Sequence, residues 1–166
     1  VLLDTQEYEQ AQRSLIDALE YLTDDSAQRL SYTWMEMNRY DTITLAHSTL
    51  ANIALRVGNL TSARERLWLA MRAAQRIGGA RITLRTLSGV AELLLLRGDP
   101  LRALEWCGAL MSSPAAGAFY QRPALAIVVR IEPLLSVEEF DAALERGRMM
   151  SLDQLMNEAN SVLRHG

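Results

Sequence analysis

Lysine is absent from these 166 residues, and all seventeen basic side chains are arginine. Codon bias of a GC-rich genome is the plain account of that usage, because a phosphate-binding surface needs its arginines clustered and these are spread along the chain. A net charge of −3 and a pI near 5.4 set the chain apart from nucleic-acid-binding domains, which present a basic face. The single cysteine, Cys107, excludes an internal disulfide and points to a reducing, cytoplasmic setting. No basic stretch leads into an apolar run at the N-terminus, so no secretory signal is expected. The longest apolar run, Val90 to Leu96, is interrupted by Glu92 and falls far short of the ~20 residues that cross a bilayer. Val1 rather than methionine opens the chain, which reads as a segment cut from something larger.

Only four prolines, nine glycines and two phenylalanines punctuate the rest. Apolar residues make up 49% and charged residues 22%, the balance of a soluble folded protein. Ala, Leu, Arg, Glu and Met favour helix throughout. Residues 4–22 carry a helical stripe at Tyr8, Ala11, Leu15, Ala18, Leu19 and Leu22. Thr23-Asp24-Asp25-Ser26 reads as a turn with Ser26 as the next N-cap. From Ala27 to Val57 the periodicity predicts one helix of about thirty residues; the alternative is two, broken near Asn38–Asp41. Further helices are predicted over Thr61–Ile77, Arg81–Arg97, from the Asp99 cap to a point before Ser112, and over Ala118–Glu132, Ser136–Arg146 and Ser151–Leu163. Asp99-Pro100 supplies a cap followed by a proline in the first turn. Ser136-x-x-Glu139 and Ser151-x-x-Gln154 are capping boxes.

Two segments align at a spacing of forty residues, Leu50 to Ala70 and Val90 to Leu110. Gly58 falls on Gly98, Asn59 on Asp99, Ala51 on Ala91 and Ala63 on Ala103. Small residues where helices cross, a glycine at the turn and a capping residue after it describe a helical hairpin. With Leu67 and Ala70 in the first unit, and Cys107 and Leu110 in the second, the pattern resembles the tetratricopeptide repeat. The period is longer than that family's usual ~34 residues. By the same resemblance the N-terminal helix is an orphan second helix, with Ala11, Leu15 and Ala18 at the matching spacing.

The tail, ALEWCGALMSSPA and then EEFDAALERGRMMSLDQLMNEA, is similar to the C-terminal end of large bacterial regulators of the STAND NTPase class and related transcriptional activators. Glu145-Arg146-Gly147-Arg148 before an N-cap serine carries that likeness, while Pro123 and Pro133 depart from it. The resemblance implies an all-α fold: a tetratricopeptide-like right-handed superhelix of antiparallel hairpins, about seven helices, with a C-terminal capping segment. Residues 1–114 would form the repeats, the first incomplete, and 115–166 diverged capping helices of the same domain. The function implied is a non-catalytic protein-interaction or sensor module at the C-terminal end of a bacterial signalling or transcriptional regulator. The alternative is a small-molecule effector domain of such a regulator. Any NTPase site would lie outside this chain.

Chemistry-bearing residues are few. His47 has no second histidine, cysteine or carboxylate at ligand spacing, and reads as a packed or surface side chain. Cys107 sits at a bulky core position with no base nominated beside it. Asp24-Asp25 and Glu138-Glu139 sit at helix starts, where the helix dipole favours negative charge. No catalytic residue, metal site or cofactor is therefore expected. The resemblance places Leu45, Ser48, Asn52 and Arg56, and then Arg85, Ser88, Glu92 and Leu96, on the inner face of the first helix of each hairpin. The polar six, Ser48, Asn52, Arg56, Arg85, Ser88 and Glu92, line a partner-binding groove in that reading; a simply solvated face is the other. Trp68 and Trp106 flank the large position of the second helix and read as packing. Trp34, with Met35, Met37 and Tyr40, reads either as an apolar patch for self-association or as packing. A protein or peptide partner is expected, and neither nucleic acid nor membrane.

Overall fold

The computed structural model describes residues 5–23, 33–78, 80–114 and 118–165. These form α1 (Thr5–Thr23), α2 (Thr33–Arg56), α3 (Leu60–Ile77), α4 (Ala80–Leu96), α5 (Pro100–Ser112), α6 (Ala118–Ile131), α7 (Val137–Arg148) and α8 (Leu152–His165). One turn of 3-10 helix, Glu132–Leu134, joins α6 to α7. Among the described residues there is no strand, so the β-branched run of α6 is helical, as expected. Among the same residues eight helices stand where about seven were expected. No described helix is long and apolar enough to cross a membrane. The chain divides into two compact units, Val1–Gly78 and Gly79–Gly166. Helices α4 and α5, read from sequence as the last repeat, thus share a unit with the tail helices.

In the first unit, α2 runs without a break through Asn38–Asp41. Within it the hydroxyls of Thr42, Thr44 and Thr49 each donate to the carbonyl four residues earlier at 2.8 Å. Such bonds satisfy a hydroxyl without leaving the helix. The stretch 27–32, expected to extend this helix, lies outside the described residues, as do Asp24, Asp25 and Ser26. Helices α2 and α3 form a hairpin, and α1 packs on α2. Leu19, Ile43, Ala46, Leu50 and Ala73 form a buried cluster flanked by Leu15, Ile16, Leu22 and Tyr40. Ala11 and Ala18 are exposed, which corrects the expectation that they mark a packing register. The wider side chains of Leu15, Ile16, Leu19 and Leu22 bury far more apolar area, so they set the face that α1 turns inward.

The Gly58-Asn59 turn closes that hairpin. Gly58 has φ +74°, the left-handed region open to glycine. Its N–H donates to Leu55 O at 3.2 Å, and that of Asn59 to Ala54 O at 2.9 Å, which together satisfy the last carbonyls of α2. The Asn59 side chain then accepts from Ser62 N at 3.0 Å and opens α3.

The second unit repeats the device forty residues later. Gly98 has φ +84°, and its N–H donates to Leu95 O at 3.0 Å while that of Asp99 donates to Leu94 O at 3.1 Å. The Asp99 carboxylate accepts from Arg102 N at 3.2 Å, ahead of Pro100 in the first turn of α5. The apolar positions that mark the repeat are buried in both hairpins: Ala51 with Ala91, Ala63 with Ala103, Leu67 with Cys107, Ala70 with Leu110.

Helix α5 is the centre of this unit, touching α4, α6, α7 and α8. Its approach to α7 is too close for side chains. A Cβ on Gly108 would stand 2.5 Å from Leu144 O, and one on Gly147 2.7 Å from the carbonyl carbon of Glu105. Glycine on each helix lets the two backbones meet. Both predicted capping boxes are formed. Ser136 and Glu139 exchange bonds of 3.0 and 3.2 Å at the start of α7, and Ser151 and Gln154 bonds of 2.8 and 3.2 Å at the start of α8.

Candidate functional site

Of the six polar residues assigned to a partner-binding face, the structure buries Ser48 and Ser88, at 2% and 8% exposure. The Ser88 hydroxyl donates to Arg85 O at 2.7 Å, three residues back on α4. Glu92 is held by Arg130 of α6 in an ion pair. Asn52 and Arg56 are exposed on α2, and Arg85 is half-buried on α4. Leu45 and Leu96, which complete the two sets, are exposed. The side chains of Trp34, Met35 and Met37 lie outside the described residues; that of Tyr40 is half-buried and packed within the first unit.

Two other singled-out aromatics have packing roles. Trp106 is fully buried, and its Nε1 donates to Glu158 Oε2 of α8 at 3.4 Å. Arg102 reaches the same oxygen at 3.3 Å, so one carboxylate ties α5 to α8 twice. Trp68 is half-buried, with the Arg72 guanidinium 5.9 Å from its ring centre. Cys107 is buried, and that burial, followed by the charge of Glu92, pushes its thiol up to about 12. A thiol held protonated is a poor nucleophile. Among the described residues, no group of three or more His, Cys, Asp or Glu side chains is placed to hold a metal ion.

A hollow that the sequence did not reveal lies within the first unit. It is open, about 320 Å3 in volume, and bordered by Thr23 at the end of α1, by Arg39, Tyr40, Ile43 and His47 of α2, and by Leu69, Arg72, Ala73 and Arg76 of α3. Residues 39, 43 and 47 repeat at helical intervals of four, as do 69, 73 and, with 72, 76, so two helix faces meet here. Arg76 is anchored on Tyr40 twice: its Nη1 donates to the phenol oxygen at 3.1 Å, and its guanidinium sits 5.6 Å from the ring centre. Arg39 Nε donates to Leu22 O in the last turn of α1, which leaves its terminal nitrogens uncommitted by that bond. His47 is 8% exposed, and its Nδ1 is buried with no hydrogen-bond partner. Burial, and secondarily the charge of Arg66, lowers its pKa from 6.5 to about 4, so the ring is neutral near pH 7. His47 was singled out from sequence as a lone histidine. What its sequence neighbours hide is the company it keeps across three helices.

No protein-family model matches the chain, and comparison with curated proteins and with solved structures likewise finds no match.

Proposed function

We propose that the chain is part of a tetratricopeptide-type array of helical hairpins that serves as a non-catalytic interaction or sensor module of a larger bacterial signalling or transcriptional regulator. The observation that carries this reading is the repeated turn. Two hairpins forty residues apart use the same Gly-Asn or Gly-Asp pair, with the same backbone bonds and the same buried small residues. Repetition of one supersecondary unit is the mark of array proteins, which as a class bind through an extended face rather than a catalytic cleft. Asn52, Arg56, Arg85 and Glu92 are the polar members of the assigned face that are not buried, and they are the residues proposed to meet a protein or peptide.

Selection of a displayed random-peptide library against the full chain tests this. Enriched peptides are expected to lose about tenfold or more of their affinity on Arg56→Ala or Arg85→Ala, the loss that follows removal of a charged hydrogen-bond donor. A library that yields no enriched sequence, or peptides indifferent to all four residues, would overturn the reading. A second reading, a small-molecule effector domain, is favoured by the hollow of the first unit, whose volume suits a small ligand.

A further inference from the structure

We propose that the hollow bordered by α1, α2 and α3 is a binding site for a small anion with a compact apolar body, an aryl phosphate or aryl carboxylate. Charge accounting is the first argument. In the second unit Arg102, Arg130, Arg146 and Arg148 pair with Glu158, Glu92, Glu105 and Glu145. Arg39, Arg72 and Arg76 converge on one hollow, and none of them is in an ion pair with a carboxylate among the described residues. Asp41, next to Tyr40 along α2, does not border the hollow. Like charges gathered at one surface repel one another, and an anion between them reverses the sign of that interaction.

Geometry is the second argument. Arg76 is fixed by Tyr40, and Arg39 by the end of α1, so the donors are ordered before a ligand arrives and little entropy is lost on binding. Guanidinium groups match phosphate and carboxylate oxygens in a planar, two-pronged fashion. The third argument is the orphan nitrogen. A buried polar atom without a partner is rare in a folded protein, and Nδ1 of His47, a residue that borders this hollow, is one. That nitrogen is covered in this structure, and a turn of the neutral ring toward the hollow would give it a partner without adding charge. Ile43, Leu69, Ala73 and the Tyr40 ring supply the apolar remainder, and about 320 Å3 accommodates one ring with its acidic group rather than a folded segment.

The inference rests on the second, small-molecule reading, and none of these residues belongs to the six-residue face assigned to a protein or peptide, so it and the peptide-binding reading fail separately. The test titrates the full chain with phenyl phosphate, benzoate, inorganic phosphate and the neutral benzamide, followed by calorimetry and by amide chemical shifts. Phenyl phosphate or benzoate is expected to saturate with shifts centred on Tyr40, His47 and Ala73, to bind more tightly than inorganic phosphate, and to surpass benzamide clearly. Whichever of the two aryl acids binds better identifies the head group. Arg72→Gln and Arg76→Gln are each expected to weaken binding about tenfold. Arg64→Gln, elsewhere on α3, leaves it unchanged. Circular dichroism checks that the variants fold; should Arg76→Gln lose helix, Arg76→Lys, which keeps the charge but not the fork, is expected to bind at an intermediate level. The proposal is overturned if no anion saturates, if benzamide equals benzoate, or if folded Arg72→Gln and Arg76→Gln variants bind as the parent does.

Discussion

At the scale of single residues, two buried side chains have their titrations displaced, in each case toward keeping the neutral form. His47 has its folded pKa lowered to about 4 from 6.5, chiefly by burial. The unfolded chain therefore binds a proton here between those values while the folded chain does not. Stability from this residue is complete above about pH 6.5 and is lost as pH falls toward 4, by up to about 3 kcal/mol. Urea midpoints near pH 7 and near pH 4 for the parent and for His47→Gln isolate the term, since titrating carboxylates contribute equally to both. The parent is expected to lose more stability on acidification than the variant; equal losses would mean that the imidazole is not held neutral. Cys107 shows the opposite displacement, its thiol raised to about 12. Near pH 8 its thiolate fraction falls on the order of a thousandfold below that of an unfolded cysteine. A thiol reagent is therefore expected to label it only as the protein unfolds, and labelling of the native chain at the rate of the urea-unfolded chain would contradict the burial.

At the scale of helices, glycines divide into two kinds that sequence alone does not separate. Gly58 and Gly98 hold positive φ with open space where a Cβ would stand. Alanine at either costs about 1 kcal/mol, the strain of a left-handed turn. Gly108 and Gly147 lie inside helices, and alanine at either drives a Cβ into the facing backbone of α7 or α5. Helix backbones cannot yield as a flexible side chain can, so Gly147→Ala is expected to cost about 3 kcal/mol in urea unfolding followed by circular dichroism. A cost no greater than that at Gly58 would show that α5 and α7 do not cross so closely. The turn glycines were legible because a turn is local chemistry: Gly then Asn or Asp states both the end of one helix and the start of the next. The capping boxes were legible for the same reason. Gly147 was noticed only as part of a tail motif, because the residue it must avoid, Glu105, is forty-two positions away. The exposed Ala11 and Ala18 show the reverse case, in which a spacing fits a repeat while larger neighbours do the packing. The arginine hollow was hidden likewise, since Arg39 and Arg76 meet through the fold and look like solvated charges in the sequence.

At the scale of the whole chain, each of the two compact units buries side chains of its own. In the second unit they converge on α5, which buries Ala103, Leu104, Trp106, Cys107, Gly108, Ala109 and Leu110 in succession. A helix apolar on so much of its circumference needs neighbours on every side, and α4, α6, α7 and α8 supply them from within the same unit. The helices α5, α7 and α8 each open on a cap of their own, Asp99, Ser136 and Ser151, so these bonds do not depend on residues before Gly79. The segment 79–166 is therefore expected to fold when produced alone. Trp106 makes the test direct, because Trp34 and Trp68 both belong to the first unit and leave it as the sole tryptophan of that segment. The fragment should show helical circular dichroism and the emission of a buried indole, with both lost in one cooperative urea transition. Gly147→Ala should shift that transition to lower urea by the same free energy as in the full chain, since the close crossing lies wholly inside the unit. Emission of a solvated indole in the isolated segment would show that α5 draws its burial from the first unit. A Gly147→Ala effect present only in the full chain would lead to the same conclusion.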